Sequence, residues 1–189
     1  SILKDLVQNN EVSIERIDDA VSRILKQKFL LNLFEEPLAD RSLVPTVGSA
    51  EHRSVARQAV RESLVLLSAG DDALPLAKNG QRIVVAGKRA DDLGAQCGGW
   101  TISWQGSNGD ITIGTTILEG LREAGEGSEI IYSETGNYSG EADVAVAVIG
   151  EDPYAEGVGD RTSLRLDQGD VNMVRALKEK GLKVITILI

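Results

Sequence analysis

The feature that most constrains the fold is an unbroken apolar run, VAVAVI, from Val144 to Ile149. A strand with one solvated face alternates apolar and polar residues, whereas a strand covered on both faces lacks that alternation. Strands of the second kind belong mostly to parallel sheets that carry helices on both faces. The run therefore predicts a buried strand inside an α/β fold.

Predicted strands and helices alternate around this run. Strands are predicted at residues 63–68, 82–86, 129–132, 143–149 and 183–189, and the last of them is expected to be buried. Helices are predicted at residues 13–28, 51–62, 116–124 and 171–180, with Ser13 and Asp167 as N-caps and Val55 and Val60 facing inward. Residues 70–80 are predicted to turn, and residues 87–114 to form a long glycine-rich loop. This order predicts a mostly parallel sheet with helices on both faces.

Charge and composition exclude several classes of function. The 189 residues carry a net charge of −9, which disfavours a nucleic-acid partner, and no apolar run approaches membrane-spanning length. The single cysteine, Cys97, cannot form an intrachain disulfide, lacks nearby metal ligands and is expected to be a small buried side chain. The single histidine, His52, lies in a predicted surface helix, which gives little support to a catalytic triad. The glycine spacing matches no phosphate-binding loop, which disfavours a nucleotide-binding domain.

A loop rich in carboxylates follows the buried run. After Gly150 come four acids: Glu151, Asp152, Glu156 and Asp160. In open α/β sheets, ligands bind beyond the carboxyl ends of the strands, so this loop is a candidate site. Glu156 is the preferred candidate, because Tyr154 precedes it and two glycines follow it, which lets the backbone bend and aim the side chain. The alternative is a solvated loop in an acidic protein.

The loop after the strand at 82–86 carries both tryptophans, Trp100 and Trp104. If the two strands are parallel, this loop leaves the same edge of the sheet as the Glu156 loop. The CH faces of a sugar pack well on indole rings, so tryptophans near a carboxylate suit a carbohydrate ligand. The alternative is that both rings pack the loop onto the core.

Four stretches together resemble glycoside hydrolase family 3, in its β-glucosidase and exo-1,3/1,4-β-glucanase branch. RIDDAVSRILKQKFLLNLFEEPLAD resembles the end of that family's catalytic barrel, and EHRSVARQAVRESLVLLSAG resembles the start of its second domain. GAQCGGWTISWQG resembles the exo-glucanase branch, and GEDPYAEGVGDR resembles the loop that carries the acid/base. The resemblance covers nearly the whole chain.

This resemblance implies a two-domain enzyme with its active site between a (β/α)8-type barrel and an α/β sandwich. Residues 1–37 would end the barrel, residues 38–48 would be a linker, and residues 49–189 would form the sandwich, truncated at its C-terminus. The nucleophilic Asp would lie in the barrel, outside this chain. The expected activity is that of a retaining exo-acting β-glucosidase that releases glucose from β-linked gluco-oligosaccharides or β-glucans.

The resemblance also assigns roles. Glu156 matches the acid/base, Trp104 matches a tryptophan that packs on the sugar beyond the cleaved bond, and Trp100 and Tyr154 are further candidate substrate contacts. Glu151 and Asp152 are the rival acids. No cofactor or metal is implied, and a periplasmic or extracellular location is expected. The alternative function is a non-catalytic carbohydrate-binding or interaction module that uses the two tryptophans.

Overall fold

The computed structural model describes residues 1–70 and 73–189 and divides into two compact units, Ser1–Val65 and Leu66–Ile189. Part of the predicted turn at 70–80, namely Asp71 and Asp72, lies outside the described residues. Within the described residues, no helix is both long enough and apolar enough to cross a membrane.

The first unit is helical. It contains α1 (Ile2–Gln8), α2 (Ile14–Leu30), a 3-10 helix (Arg41–Thr46) and α3 (Ala50–Ser63). Ser13 caps α2 as predicted, because its hydroxyl accepts a hydrogen bond from the backbone N–H of Arg16 at 3.2 Å. Neither α1 nor the 3-10 helix is predicted from the sequence, since both are short and lack a full apolar period.

Two expectations about this part of the chain are wrong. Val55 and Val60, which are expected to face inward from α3, are exposed, because nothing in the described chain covers that face. The predicted strand at 63–68 does not form: α3 continues to Ser63, and residues 64–70 have no regular structure. An apolar segment becomes a strand only where a neighbouring strand pairs with it, and the described sheet does not include this segment.

The second unit is built on a four-stranded parallel sheet in the order β2-β1-β3-β4. The strands are β1 (Asn79–Ala86), β2 (Gly127–Ser133), β3 (Val144–Ile149) and β4 (Lys183–Leu188). β1 and β3 are neighbours in register, with Val85 opposite Val146. All six residues of β3 are buried, which confirms the prediction for the apolar run.

Helices cover both faces of this sheet, as predicted. On one face, Leu118 of α5 (Ile117–Ala124) packs against β1 and β3. On the other, Met173 and Leu177 of α6 (Gln168–Glu179) pack against the same two strands. The predicted N-cap is confirmed, because Asp167 accepts a hydrogen bond from the N–H of Gly169 at 2.7 Å.

Two details of this unit differ from expectation. β4 is not a buried strand: three of its six residues are exposed and three are half-buried, because it lies at the edge of the described sheet. The predicted loop at 87–114 contains a 3-10 helix (Lys88–Asp91) and α4 (Leu93–Cys97). The Asp92 carboxylate organises this segment, since it accepts hydrogen bonds from the N–H groups of Ala95 and Gly109, both at 2.8 Å.

Candidate active site

The two candidate loops leave neighbouring strands at the same edge of the sheet, as the sequence predicts. β1 and β3 are adjacent and parallel, so their carboxyl ends, Ala86 and Ile149, point the same way. The tryptophan loop (residues 98–109) follows β1 and α4, and the acid loop (residues 150–161) follows β3. Both belong to the second unit.

The two loops are in close contact. A Cβ built on Gly99 would overlap the carbonyl oxygen of Tyr154, and a Cβ built on Gly106 would lie 2.8 Å from the Cβ of Pro153. Only glycine allows so close an approach of two backbones. These glycines therefore serve loop packing, which explains why their spacing matches no phosphate-binding motif.

Gln105 links the two loops through its side-chain amide. Its Oε1 accepts a hydrogen bond from the N–H of Ala155 at 2.9 Å, and its Nε2 donates to the carbonyl oxygen of Glu156 at 3.4 Å. A second amide crosses nearby, where Asn108 Nδ2 donates to Asp152 Oδ1 at 3.2 Å. Each loop thus holds the other in place.

A buried arginine anchors the base of the acid loop. Arg89 is 4 % exposed, and its guanidinium donates to the carbonyl oxygen of Glu151 at 3.2 Å. It also contacts Asp170 Oδ2 at 3.2 Å and Asp152 Oδ1 at 3.4 Å. A buried guanidinium is stable only with such compensation, so this cluster ties the 3-10 helix after β1, the acid loop and α6 together.

Asp152 is held in its charged form. Partial burial acts to raise the pKa of its carboxyl, but the hydrogen bond from Asn108 and the nearby cations of Lys88 and Arg89 lower the pKa below its usual value. An acid with a lowered pKa is a poor proton donor near neutral pH.

Glu151 is occupied on both oxygens. Arg161 Nη1 contacts Glu151 Oε1 at 2.8 Å, and the Tyr154 hydroxyl donates to Glu151 Oε2 at 2.5 Å. The hydrogen bond to this carboxylate raises the pKa of the Tyr154 phenol. The Arg161 guanidinium also lies 5.1 Å from the centre of the Tyr154 ring, so Tyr154, half-buried, braces the loop.

Glu156 differs from both rivals. It is exposed at the start of a tight turn at residues 156–159, and its carboxylate has no hydrogen bond or ion pair with any residue that the structure describes. Its backbone, in contrast, is held by Gln105. The Glu156 side chain is therefore accessible to a ligand, while its backbone is held in place.

The two tryptophans lie together and are exposed. Trp100 and Trp104 are 71 % and 51 % exposed, and their ring centroids are 6.4 Å apart at 55°. The backbone N–H of Trp100 donates a hydrogen bond to the backbone carbonyl oxygen of Trp104 at 2.9 Å, which joins the two residues. The alternative in which both rings pack onto the core is not what the structure has.

The remaining candidates give no site. Among the described residues, no group of three or more His, Cys, Asp or Glu side chains could hold a metal ion. Cys97 is free and half-buried rather than buried, because it ends α4 at the loop surface. His52 is exposed in α3, as predicted.

Sequence reasoning missed the residues that shape the site. Gln105, Asn108, Arg89 and Asp170 act through contacts with residues 44 to 81 positions away, which no local pattern reveals. Two of these residues could have been noticed from their place in the sequence: Gln105 directly follows Trp104, and Arg89 lies just after β1.

Comparison with known proteins identifies the family. The family described as Glycosyl hydrolase family 3 C-terminal domain matches residues 64–189. The lysosomal beta glucosidase of Dictyostelium discoideum is 33% identical over 100% of this chain and 26% of its own length. The periplasmic beta-glucosidase of Salmonella typhimurium is 28% identical over 98% of this chain and 29% of its own length. The chain thus spans between a quarter and a third of these relatives.

Solved structures share the fold. The exo-1,3/1,4-beta-glucanase of a Pseudoalteromonas species superposes with a TM-score of 0.88 at 37% identity, over 97% of this chain and 24% of that one. A mutant beta-glucosidase of Listeria innocua in complex with laminaribiose superposes with a TM-score of 0.81 at 29% identity, over 98% and 27% of the two chains. The chain belongs to glycosyl hydrolase family 3 and carries that family's C-terminal α/β domain.

Proposed function

We propose that this chain supplies the general acid/base of a retaining, exo-acting β-glucosidase, with Glu156 as the acid/base. The nucleophilic Asp comes from a barrel domain, of which residues 1–37 are the C-terminal end, and a linker at residues 38–48 joins that end to the α/β domain at residues 49–189. The substrate is a β-linked gluco-oligosaccharide or β-glucan, from which glucose is released at the non-reducing end. Relatives named beta-glucosidase and a neighbour named exo-1,3/1,4-beta-glucanase support this substrate class.

The observation that carries the proposal is the different state of three carboxylates in one loop. Asp152 is paired with Lys88 and Arg89, and Glu151 is bound by Arg161 and Tyr154. Glu156 is exposed and is the one of these three without a partner within the described chain, and the loop that contacts its backbone carries two exposed indole rings. A group that exchanges a proton with substrate must be accessible to it, and the exposure of Glu156 supports this role.

The chemistry then proceeds in two steps. The Glu156 carboxylic acid protonates the leaving glycosidic oxygen while the barrel's Asp attacks the anomeric carbon, and a covalent glycosyl-enzyme forms. The Glu156 carboxylate then takes a proton from water, which displaces the enzyme's Asp and releases glucose with retained configuration. Trp104, with Trp100 beside it, packs on the sugar of the leaving group.

The test compares Glu156→Ala with wild type in the complete enzyme on two substrates. We expect kcat/KM on laminaribiose to fall by about 10²- to 10⁴-fold, the usual contribution of general acid catalysis. On dinitrophenyl β-glucoside, whose leaving group needs no proton, glycosylation continues and added azide yields β-glucosyl azide. The measurement is steady-state kinetics with NMR identification of the azide product.

The matched control is Asp160→Ala, which removes another exposed carboxylate from the same loop. We expect Asp160→Ala to leave the ratio of kcat/KM on the two substrates the same as in wild type. Equal losses on both substrates in Glu156→Ala, with no azide adduct, would exclude Glu156 as the acid/base. Glu151 and Asp152 would then be tested in the same way.

A second candidate function is a non-catalytic carbohydrate-binding module, and the exposed Trp100–Trp104 pair favours it. The test is a titration of laminaribiose against this chain alone, followed by tryptophan fluorescence. Binding at micromolar concentration without a barrel domain would support the module. An unchanged spectrum would favour the enzyme, in which the sugar is held from two sides.

We also propose that the protein acts in the periplasm or outside the cell. The name of the Salmonella relative supports this location, while the name of the Dictyostelium relative points to a lysosome. Fractionation of cells with an antibody against this chain tests it.

A further inference from the structure

We propose that Gln105 is the positioning residue for the acid/base: one side-chain amide sets where Glu156 stands relative to the Trp104 ring. This inference rests on the proposed function and deepens it. Gln105 has no direct contact with substrate in this role. It acts through the backbone of the acid loop.

The orientation of the Gln105 amide is dictated by its two partners. The N–H of Ala155 can only donate and the carbonyl of Glu156 can only accept, so Oε1 must face Ala155 and Nε2 must face Glu156. The pair of bonds brackets the peptide group between Ala155 and Glu156. Both ends of that unit are held, which restricts the backbone dihedral angles from which the Glu156 side chain projects.

The local packing makes Gln105 a rigid support. Ala155 is buried, while the Glu156 side chain beside it is exposed, so the backbone is fixed and the carboxylate remains accessible. Gly106, the next residue after Gln105, lies against Pro153 with no room for a side chain. Gln105 is itself half-buried.

The position of Gln105 in the chain adds the second half of the inference. It directly follows Trp104, so the residue that holds the Glu156 backbone is bonded to the residue that provides the platform for the leaving-group sugar. A displacement of the tryptophan loop therefore moves the ring and the acid together. Their relative position is what proton transfer to the bridging oxygen requires.

The experiment uses Gln105→Ala and Gln105→Met in the complete enzyme. The methionine keeps most of the side-chain volume but makes neither hydrogen bond. Because a misplacement of about 1 Å costs up to about 10²-fold, we expect kcat/KM on laminaribiose to fall by about 10- to 100-fold. On dinitrophenyl β-glucoside, where no proton is needed, we expect a loss no larger than about threefold by the same argument.

Asn108→Ala is the matched control, because Asn108 also carries an amide that crosses between the two loops, but it ends on Asp152 and not on the Glu156 backbone. If a variant only loosens the loops, kcat/KM falls by the same factor on both substrates. We expect that pattern for Asn108→Ala. Thermal unfolding of all variants measures any general loss of stability.

The double variant Gln105→Ala/Glu156→Ala completes the test. Without the Glu156 side chain, loss of the Gln105 amide should not change the ratio of kcat/KM on the two substrates any further. The double variant should therefore have the same ratio as Glu156→Ala alone. Equal losses on both substrates in the Gln105 variants would overturn the positioning role while the role of Glu156 stands. If Glu156→Ala itself loses kcat/KM equally on both substrates, the acid/base assignment and the positioning role are both wrong.

Discussion

Of the four carboxylates in the loop after β3, the three that are candidates for the acid/base have neighbours that give them different chemistry. Two cations and an amide surround Asp152, an arginine and a tyrosine bind Glu151, and Glu156 projects from a supported backbone into open space. The partners of Asp152 are distant in the chain, whereas those of Glu151 lie in its own loop. The residue type alone makes all three equal candidates.

The state of Asp152 predicts how stability depends on pH. Its folded pKa lies below the ordinary value of 3.8, so its interactions stabilise the fold above that pH and are lost as pH falls through the folded pKa. Asp152→Asn removes this contribution. We expect the variant to be less stable than wild type at neutral pH, with the difference shrinking below pH 3.8.

The measurement is urea unfolding of both proteins from neutral pH down to acid pH. Asp160→Asn provides the comparison, since Asp160 is exposed in the same loop. A difference between Asp152→Asn and wild type that stays constant as the pH falls would show that charge pairing at Asp152 contributes nothing.

The loops depend on backbone contact as much as on side chains. The tryptophan loop and the acid loop meet where Gly99 approaches Tyr154, at a distance that leaves no space for a methyl group. The tryptophan loop and the acid loop can form one binding surface only if such contacts fix the distance between them.

Gly99→Ala tests this contact. The added Cβ overlaps a backbone carbonyl, which cannot rotate away, so we expect a loss of about 1–3 kcal/mol in the free energy of unfolding, as for overpacked sites. Gly120→Ala is the control: Gly120 lies within α5 with open space around it, and alanine there should stabilise by about 0.5–1 kcal/mol. Urea unfolding measures both, and a Gly99→Ala as stable as wild type would contradict the contact.

The regular elements follow the sequence more closely than the loops do. The buried run of β3, the caps at Ser13 and Asp167 and the helices on both faces are predicted correctly, because each depends on residues close in the chain. The false strand at 63–68 and the exposed edge strand β4 depend on which strands pair, and pairing is a property of the whole sheet.

At the scale of the whole molecule, this chain spans only part of the length of its relatives. It spans 26% and 29% of two relatives, and under the proposed mechanism one of the two required carboxylates lies elsewhere. The stereochemical outcome depends on the distance between the two groups, about 5–5.5 Å for retention.

We therefore expect the complete enzyme to release β-glucose first from dinitrophenyl β-glucoside, whose single glucose is the one that the enzyme transfers to water. Proton NMR of the anomeric signals during the first minutes of hydrolysis measures this, before mutarotation mixes the anomers. A reference run with β-glucose alone corrects for that process. Initial release of α-glucose would indicate an inverting enzyme and a wider carboxylate separation.

The amino-acid pattern determines the class of fold, the caps, the buried strand and the loops in which a site would lie, because these follow from short-range periodicity and from the direction of parallel strands. The resemblance of four stretches adds the family. Only the tertiary structure decides which carboxylate is free, which are neutralised and that Gln105 supports Glu156. The contacts of Asp152 and of Gln105 join residues 44 to 64 positions apart in the chain, and they form only when β1 and β3 lie side by side. Arg161 and Tyr154, in contrast, bind Glu151 from within its own loop.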